Sequence, residues 1–339
     1  MTAGRAAPAT LTGGRPSDVL ARIQHPVREP LNSVTMEMER LVLHDAPLVA
    51  QMGQHLMGMR GKMFRPTLVL LCSDVEGKSE PRVIGLAAAV ELIHLATLVH
   101  DDAVDHSVLR RGMPTLNSLF SHQISVIMGD FLYSTALGKL VDAGDLGALR
   151  VLTRASTDMS VGEMRQLAVV DPLSFSEDDY YDLIRAKTAS LMSAACAVGA
   201  MCGAARYSEA LTRFGESLGM AFQIADDLID YTEQEETTGK PTGLDLREHK
   251  VTLPLIAALR EMAPANRSKV DKLFAGGEPR DGPIAEVMRM VADSGGLDYA
   301  RVRGAGYAAK AQEALSGLPD TVARSALIDS ISYVMERHA

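Results

Sequence analysis

From about residue 18 to the C-terminus, apolar and polar residues alternate with the period of amphipathic helices, in segments of roughly 12 to 25 residues. No stretch sustains the two-residue alternation of a half-buried strand. Short runs such as Glu76-Gly77-Lys78, Asp142-Ala143-Gly144 and Gly276-Gly277-Glu278-Pro279 interrupt the pattern and read as turns between helices. No linker and no shift of composition divides the body. The pattern predicts one all-α domain over residues 19–339, a single large helical bundle, preceded by a flexible tail over 1–18. That tail has two arginines but lacks the apolar core of a secretion signal.

Composition supports the helical reading. Hydrophobic residues make up 47% of the 339 positions and aromatics only 4%, with no tryptophan. Ala, Leu and Met are abundant, and they favour helices over strands. A net charge of -9 argues against nucleic acid as a partner, because a phosphate-neutralising surface is normally basic. Cys72, Cys196 and Cys202 lie in apolar stretches without metal-ligand spacing, which points to reduced, structural thiols in a cytoplasmic protein. The uncharged run Thr188 to Ala205 nearly reaches spanning length, yet its small residues predict a packed core helix, and no membrane span is expected.

Two short segments change the picture from fold to chemistry. The chain reads DDAVD at 101–105 and DDLID at 226–230, each after an apolar helical run. Residues four apart share a helix face, so Asp101 stacks with Asp105 and Asp226 with Asp230. Like charges at that spacing destabilise an isolated helix unless something positive lies above them. One or two carboxylates, completed by waters and substrate phosphates, are the usual way to hold Mg²⁺. Two such helices facing each other would grip a metal-diphosphate from both sides.

Cations accompany them in four places. Arg60, Lys62 and Arg65 precede Pro66 within a stretch free of acidic residues from Ala46 to Ser73. Proline favours a first helical turn, where a positive helix end and clustered cations together call for an anion. Arg110 and Arg111 follow the first aspartate cluster and are able to fork onto diphosphate oxygens. Lys187-Thr188 and the loop carrying Lys240 and Lys250 complete the set.

In this order the motifs resemble the trans-polyprenyl diphosphate synthases, the chain-elongating prenyltransferases of isoprenoid synthesis. They are GKMFRP at 61–66, ELIHLATLVHDDAVDHSVLRRGMPTLN at 91–117, GDFL at 129–132, KTASL at 187–191, FQIADDLIDYT at 222–232 and GKPTGLDLREHKVTLP at 239–254. The resemblance implies an isoprenoid-synthase bundle around a central substrate cavity and a homodimer. It implies that Asp101, Asp102, Asp105, Asp226, Asp227 and Asp230 hold about three Mg²⁺ ions on an allylic diphosphate, contacted also by Arg110, Lys187 and Lys240. Lys62, Arg65, His94 and Arg111 would bind the diphosphate of isopentenyl diphosphate. Thr188 and Gln223 would flank the reacting carbons, with Lys250 the last active-site lysine. The implied reaction ionises the allylic diphosphate, adds the isopentenyl double bond to the cation and passes a proton to the departing diphosphate. Two positions depart from the family pattern. Arg60 and His249 stand where a glycine is usual, which puts local loop geometry in question.

In that family the helix of the first cluster also lines the product tunnel. Ala96 and Thr97, one turn before Asp101, are small, which points to a long product of C30 to C50, released to a membrane. Phe131 or Tyr133 on another helix would close the tunnel earlier and give C20 to C25. A terpene cyclase or head-to-head synthase shares the aspartate clusters but lacks an isopentenyl diphosphate site. A non-catalytic partner subunit would have lost aspartates that are complete here.

Overall fold

The computed structural model describes residues 16–59, 61–232, 242–277 and 279–336. Most of the expected tail and Lys240 therefore lie outside the described residues, and the first helix already begins at Pro16. In chain order the helices are α1 (Pro16–Gln24), α2 (Arg28–Val42), α3 (Pro47–Gly58), α4 (Phe64–Ser73), α5 (Val83–Val104), the single turn α6 (Leu116–Leu119), α7 (His122–Asp142), α8 (Leu146–Leu167) and α9 (Glu177–Ile184). They continue as α10 (Ser190–Met201), α11 (Ser208–Thr232), the short α12 (Leu244–Arg247), α13 (Leu253–Glu261), α14 (Pro264–Ala275), α15 (Asp281–Asp293), α16 (Gly296–Ala314) and α17 (Val322–Met335). The one sheet among the described residues is a two-residue hairpin, Leu109–Arg110 against Met113–Pro114, turned at Arg111-Gly112.

Two of the anticipated turns, at 76–78 and 142–144, are where the sequence placed them. Gly77 and Gly144 have φ of +67° and +66°, the left-handed region that only glycine enters without strain; Gly77 turns the chain after α4 and Gly144 ends α7. Asp145 then caps α8 by accepting from the Ala148 amide.

Helices α5, α10 and α11 form the centre, with α4, α7, α8, α16 and α17 packed around them. The small-residue run proves to be core. Nine residues of α10 are buried, and Gly199 lets the helix lie directly on the backbone of Val69 in α4. Two other helices, α5 and α7, are long and apolar enough to cross a membrane by length and composition. About two-thirds of the α5 window is buried inside the bundle, and a third of that of α7.

On α5 the burial pattern changes along the helix. From Leu86 to Ile93 every residue is buried, and then His94, Thr97, Leu98 and Asp101 form a half-buried stripe at three- and four-residue spacing. On α11 a matching stripe runs through Gln223, the exposed Asp226 and Asp230. These two stripes are the walls of the candidate site.

Candidate active site

Both aspartate clusters fall in the last turns of their helices, at the C-terminal ends of α5 and α11. A helix C-terminus carries partial negative charge, so these are unfavourable positions for carboxylates. Their placement needs compensating cations. Lys187 lies close enough to influence Asp101, and Lys250 lies near both Asp105 and Asp245, so the two clusters share one mouth.

The individual aspartates have different surroundings. Asp102 is buried and accepts a forked pair from Arg110, with Nε at 2.9 Å from both oxygens and Nη2 at 2.8 Å from Oδ1. Arg110, which the sequence assigned to the diphosphate, is therefore already held by Asp102 in this structure, and it reaches the mouth from that anchor. Asp227 is buried and accepts from the Tyr180 hydroxyl at 2.5 Å and from Gln223 Nε2 at 2.8 Å. Asp230 accepts from the backbone amides of Leu244 and Asp245 at 2.9 and 3.0 Å, tying the end of α11 to α12.

Asp101 and Asp105 make no hydrogen bond or ion pair through their carboxylates among the described residues. Burial, together with Glu163 and Asp105, pushes Asp101 up to about 6, outweighing Lys187 and Arg110. Burial raises Asp227 and Asp245 as well, and the neighbouring aspartates reinforce the rise against the donors that oppose it. Excess negative charge is thus concentrated where both clusters open to the mouth. No three-ligand metal set is preassembled among the described residues. The donor chemistry still fits a hard divalent ion taken up with its substrate, since Mg²⁺ is commonly held by one or two carboxylates plus phosphate oxygens.

Lys187 is placed by a π-turn, Arg185–Ala189, between α9 and α10. Its ammonium bonds Gln166 at 2.8 Å and Glu163 at 2.5 Å on α8. The adjacent Thr188 donates to Gln223 Oε1 at 2.7 Å, and Gln223 then donates onward to Asp227. Lys250 pairs with Glu248 at 2.6 Å. Burial disfavours its charge, but Glu248, Asp105 and Asp245 hold its pKa above the ordinary value. The preceding His249 has φ +55°, so the position where a glycine is usual keeps a glycine-like backbone, and the imidazole lies 5.5 Å from the Phe274 ring.

The second group of cations gathers beside α4. Met63, in the left-handed conformation, caps α4, and Gln24 Nε2 fixes the turn by donating to the Lys62 carbonyl at 2.8 Å. Arg65 Nη1 donates to His94 Nε2 at 3.0 Å. Arginine has no acceptor, so Nε2 is the unprotonated nitrogen of His94. Burial and the nearby Arg65, Arg111 and Arg110 hold this imidazole well below its ordinary pKa, which keeps it neutral. Arg111 Nη1 donates to the Met59 carbonyl at 3.0 Å, passing beneath Gly61 where a side chain would collide with it. Lys62 stands 5.6 Å from the centre of the Tyr333 ring. Of the two expected tunnel residues, Thr97 lies on the half-buried stripe, whereas Ala96 is 1% exposed and packed in the core.

Several participants were not singled out from the sequence. Tyr180 holds Asp227 from 47 residues away, Glu163 and Gln166 hold Lys187, and Asp245 joins the second cluster. No local signal marks the first three. Asp245 lies in the quoted motif GKPTGLDLREHK and was legible as an added acid.

Comparison with known proteins gives the family. The family model described as polyprenyl synthetase matches residues 46–291. The chain is 35% identical over 322 residues to an all-trans-nonaprenyl-diphosphate synthase (geranyl-diphosphate specific) of Rhodobacter capsulatus, covering 94% of this chain and 97% of that one. It is 36% identical over 297 residues to the octaprenyl diphosphate synthase of Escherichia coli, covering 86% and 91%. The fold superposes with a TM-score of 0.89 on a polyprenyl synthase from Caulobacter crescentus, solved with calcium and isoprenyl diphosphate, at 34% identity and covering 94% and 98%. With its two aspartate-ended helices and adjoining basic loops, the chain is a prenyltransferase and belongs to the polyprenyl synthetase family.

Proposed function

We propose that the protein elongates an allylic diphosphate by repeated head-to-tail addition of isopentenyl diphosphate and makes a long-chain polyprenyl diphosphate. The observation that carries this reading is the pairing of two anion-repelling helix ends with two separate sets of cations. One set, Arg110, Lys187 and Lys250, borders the aspartates. The other, Lys62, Arg65 and Arg111 with His94, lies beyond them. A synthase that joins two diphosphates needs two such places, and a cyclase needs one.

In this proposal Asp101, Asp105 and Asp226 ligate divalent metal directly, while Asp102, Asp227 and Asp230 hold the frame. About three Mg²⁺ ions, when bound, neutralise the diphosphate charge that develops on ionisation. The chain's own residues do the rest. Lys187 and Lys240 steady the leaving diphosphate, and Lys250 adds a fixed positive charge at the same mouth. Thr188 and Gln223, locked to each other and to Asp227, present oriented dipoles beside the reacting carbons. Neutral His94 and the two arginines orient the isopentenyl diphosphate so that its double bond faces the cation.

The product grows along the α5 stripe past Thr97, with the small Ala96 packed behind it in the core. Small residues there, and relatives named for octaprenyl and nonaprenyl products, support a long chain. Helix α7 is apolar but only a third buried, with Ile127 and Val141 exposed, and Leu146 and Met164 on α8 are exposed as well. A second copy of the chain covers it in the proposed homodimer, which light scattering would detect; a monomer at micromolar concentration would remove this part. The three cysteines are free and buried, in keeping with a cytoplasmic protein.

The test is incorporation of labelled isopentenyl diphosphate into an allylic primer. Incorporation is expected with Mg²⁺, lost with a chelator, and reduced by at least about a hundredfold in Asp101→Asn, since removing one charge-stabilising group at a reacting centre costs that much. Undiminished turnover in that variant would overturn the assignment.

A further inference from the structure

On α5, Glu91 is the one charged residue between Arg82 and Asp101, if the histidines are counted as neutral. It lies one turn before His94 on the same side of the helix, three residues away. Its side chain is 7% exposed, and Oε2 has no hydrogen-bond partner. Arg65 is in the same state, its Nε buried and unpartnered while Nη1 bonds His94. Arg65 and Arg111 are the charges that act on Glu91, each pulling its carboxyl down against the burial that pushes it up. A carboxylate buried in an apolar helix is expensive unless a fixed charge nearby requires it.

We infer that Glu91 is a positioning residue for the isopentenyl diphosphate subsite, a buried counter-charge that holds Arg65 and Arg111 together before the substrate arrives. The inference rests on the reading of that subsite given above. Guanidinium groups gathered around an anion site repel one another while the site is empty: Arg111 disfavours the charge of Arg65, and Arg110 disfavours that of Arg111. An acid beneath them, out of reach of the solvent, offsets that repulsion without competing for the ligand face. Arg65 Nη1 then remains on His94, and the paired donors are ready when the diphosphate arrives, so the ordering is done before binding.

The carboxylate touches no reacting atom in this scheme, so its removal acts on one substrate only. Steady-state kinetics are measured with isopentenyl diphosphate and farnesyl diphosphate varied in turn, for wild type, Glu91→Gln, Glu91→Asp and Arg65→Lys, with thermal melts of each. Glu91→Gln is expected to raise KM for isopentenyl diphosphate by about tenfold, the usual effect of removing a group that orients a ligand-binding side chain, while KM for farnesyl diphosphate stays within about twofold. Glu91→Asp, which keeps the charge, is expected to recover part of that loss. Equal changes in both KM values, or none in either, would overturn the role of Glu91. Where Glu91→Gln does not fold, Glu91→Asp carries the test by the same split between substrates. Arg65→Lys separates the two levels. If it leaves KM for isopentenyl diphosphate unchanged, the subsite itself is misassigned; if it raises that KM and Glu91→Gln does not, only the positioning role falls.

Discussion

Replacing Gly61 with alanine tests the subsite through a residue that carries no chemistry. A Cβ built at Gly61 falls 2.5 Å from Arg111 Nη1, 2.6 Å from Nη2 and 2.8 Å from Cζ. Ordinary contact begins near about 3.4 Å, so something must shift by roughly 1 Å. The backbone has no reason to yield, because Gly61 is not in the left-handed region and alanine suits its conformation. The far end of a long side chain moves more easily. The guanidinium is displaced, and its bond to the Met59 carbonyl at 3.0 Å is lost. A hydrogen bond from a charged donor contributes about 1.5 to 3 kcal/mol, and the exposure of Arg111 puts this one nearer 1, equivalent to roughly a fivefold change in binding. The expected variant therefore melts within a few degrees of wild type, has KM for isopentenyl diphosphate raised roughly fivefold, and keeps its KM for the allylic primer. Steady-state kinetics with each substrate varied, beside a thermal melt, decide it. An unchanged KM would show that Arg111 does not bind that diphosphate, and a collapse in melting temperature would show that the loop, not the side chain, yields.

Three other outcomes follow from the same structure. His94, held neutral by burial and by Arg65, Arg111 and Arg110, stays unprotonated in the folded protein, whereas the unfolded chain takes up a proton below about 6.5. Stability is therefore lost as pH falls through that value, and urea midpoints at pH 7.5 and 5.5 are expected to lie closer together in His94→Gln than in wild type; an unaltered difference would refute the burial argument. Gly199→Ala forces a methyl group onto the Val69 carbonyl between α10 and α4, a backbone obstacle, and is expected to destabilise by about 3 kcal/mol in denaturant titration, with wild-type stability counting against the packing. Thr97→Tyr places a ring on the half-buried stripe of α5 and is expected to shorten the product by several isoprene units in mass spectra, whereas a product of wild-type length would place the end of the tunnel on another helix.

Much of the architecture was legible in the chain because it depends on local rules. The helical class, the turns at Gly77 and Gly144, and the packed run through Cys196 follow from periodicity, punctuation and residue size. The aspartate clusters were legible because repeated acids four apart demand an explanation. What escaped depends on partners distant in sequence. The anchoring of Arg110 on Asp102, the Tyr180 bond to Asp227 and the capping of α12 by Asp230 each require a third dimension to bring the groups together. The fitness of His249 for a glycine position appears only in its φ. Ala96 and Thr97 were treated alike because neighbours in sequence look equivalent, yet a helix turns by about 100° between them, and one faces the core while the other faces the open stripe. Glu91 was readable in principle, as the single acid in the apolar stretch before Asp101, but its meaning required Arg65 and Arg111 beside it.

The most direct test of chain elongation is mass spectrometry of the products formed from isopentenyl diphosphate and farnesyl diphosphate with Mg²⁺. A ladder of polyprenyl diphosphates rising by one isoprene unit at a time to one dominant species of C30 to C50 is the predicted result. Consumption of farnesyl diphosphate alone, with no isopentenyl unit in any product, would contradict it and return the two aspartate clusters to a cyclase-like reaction.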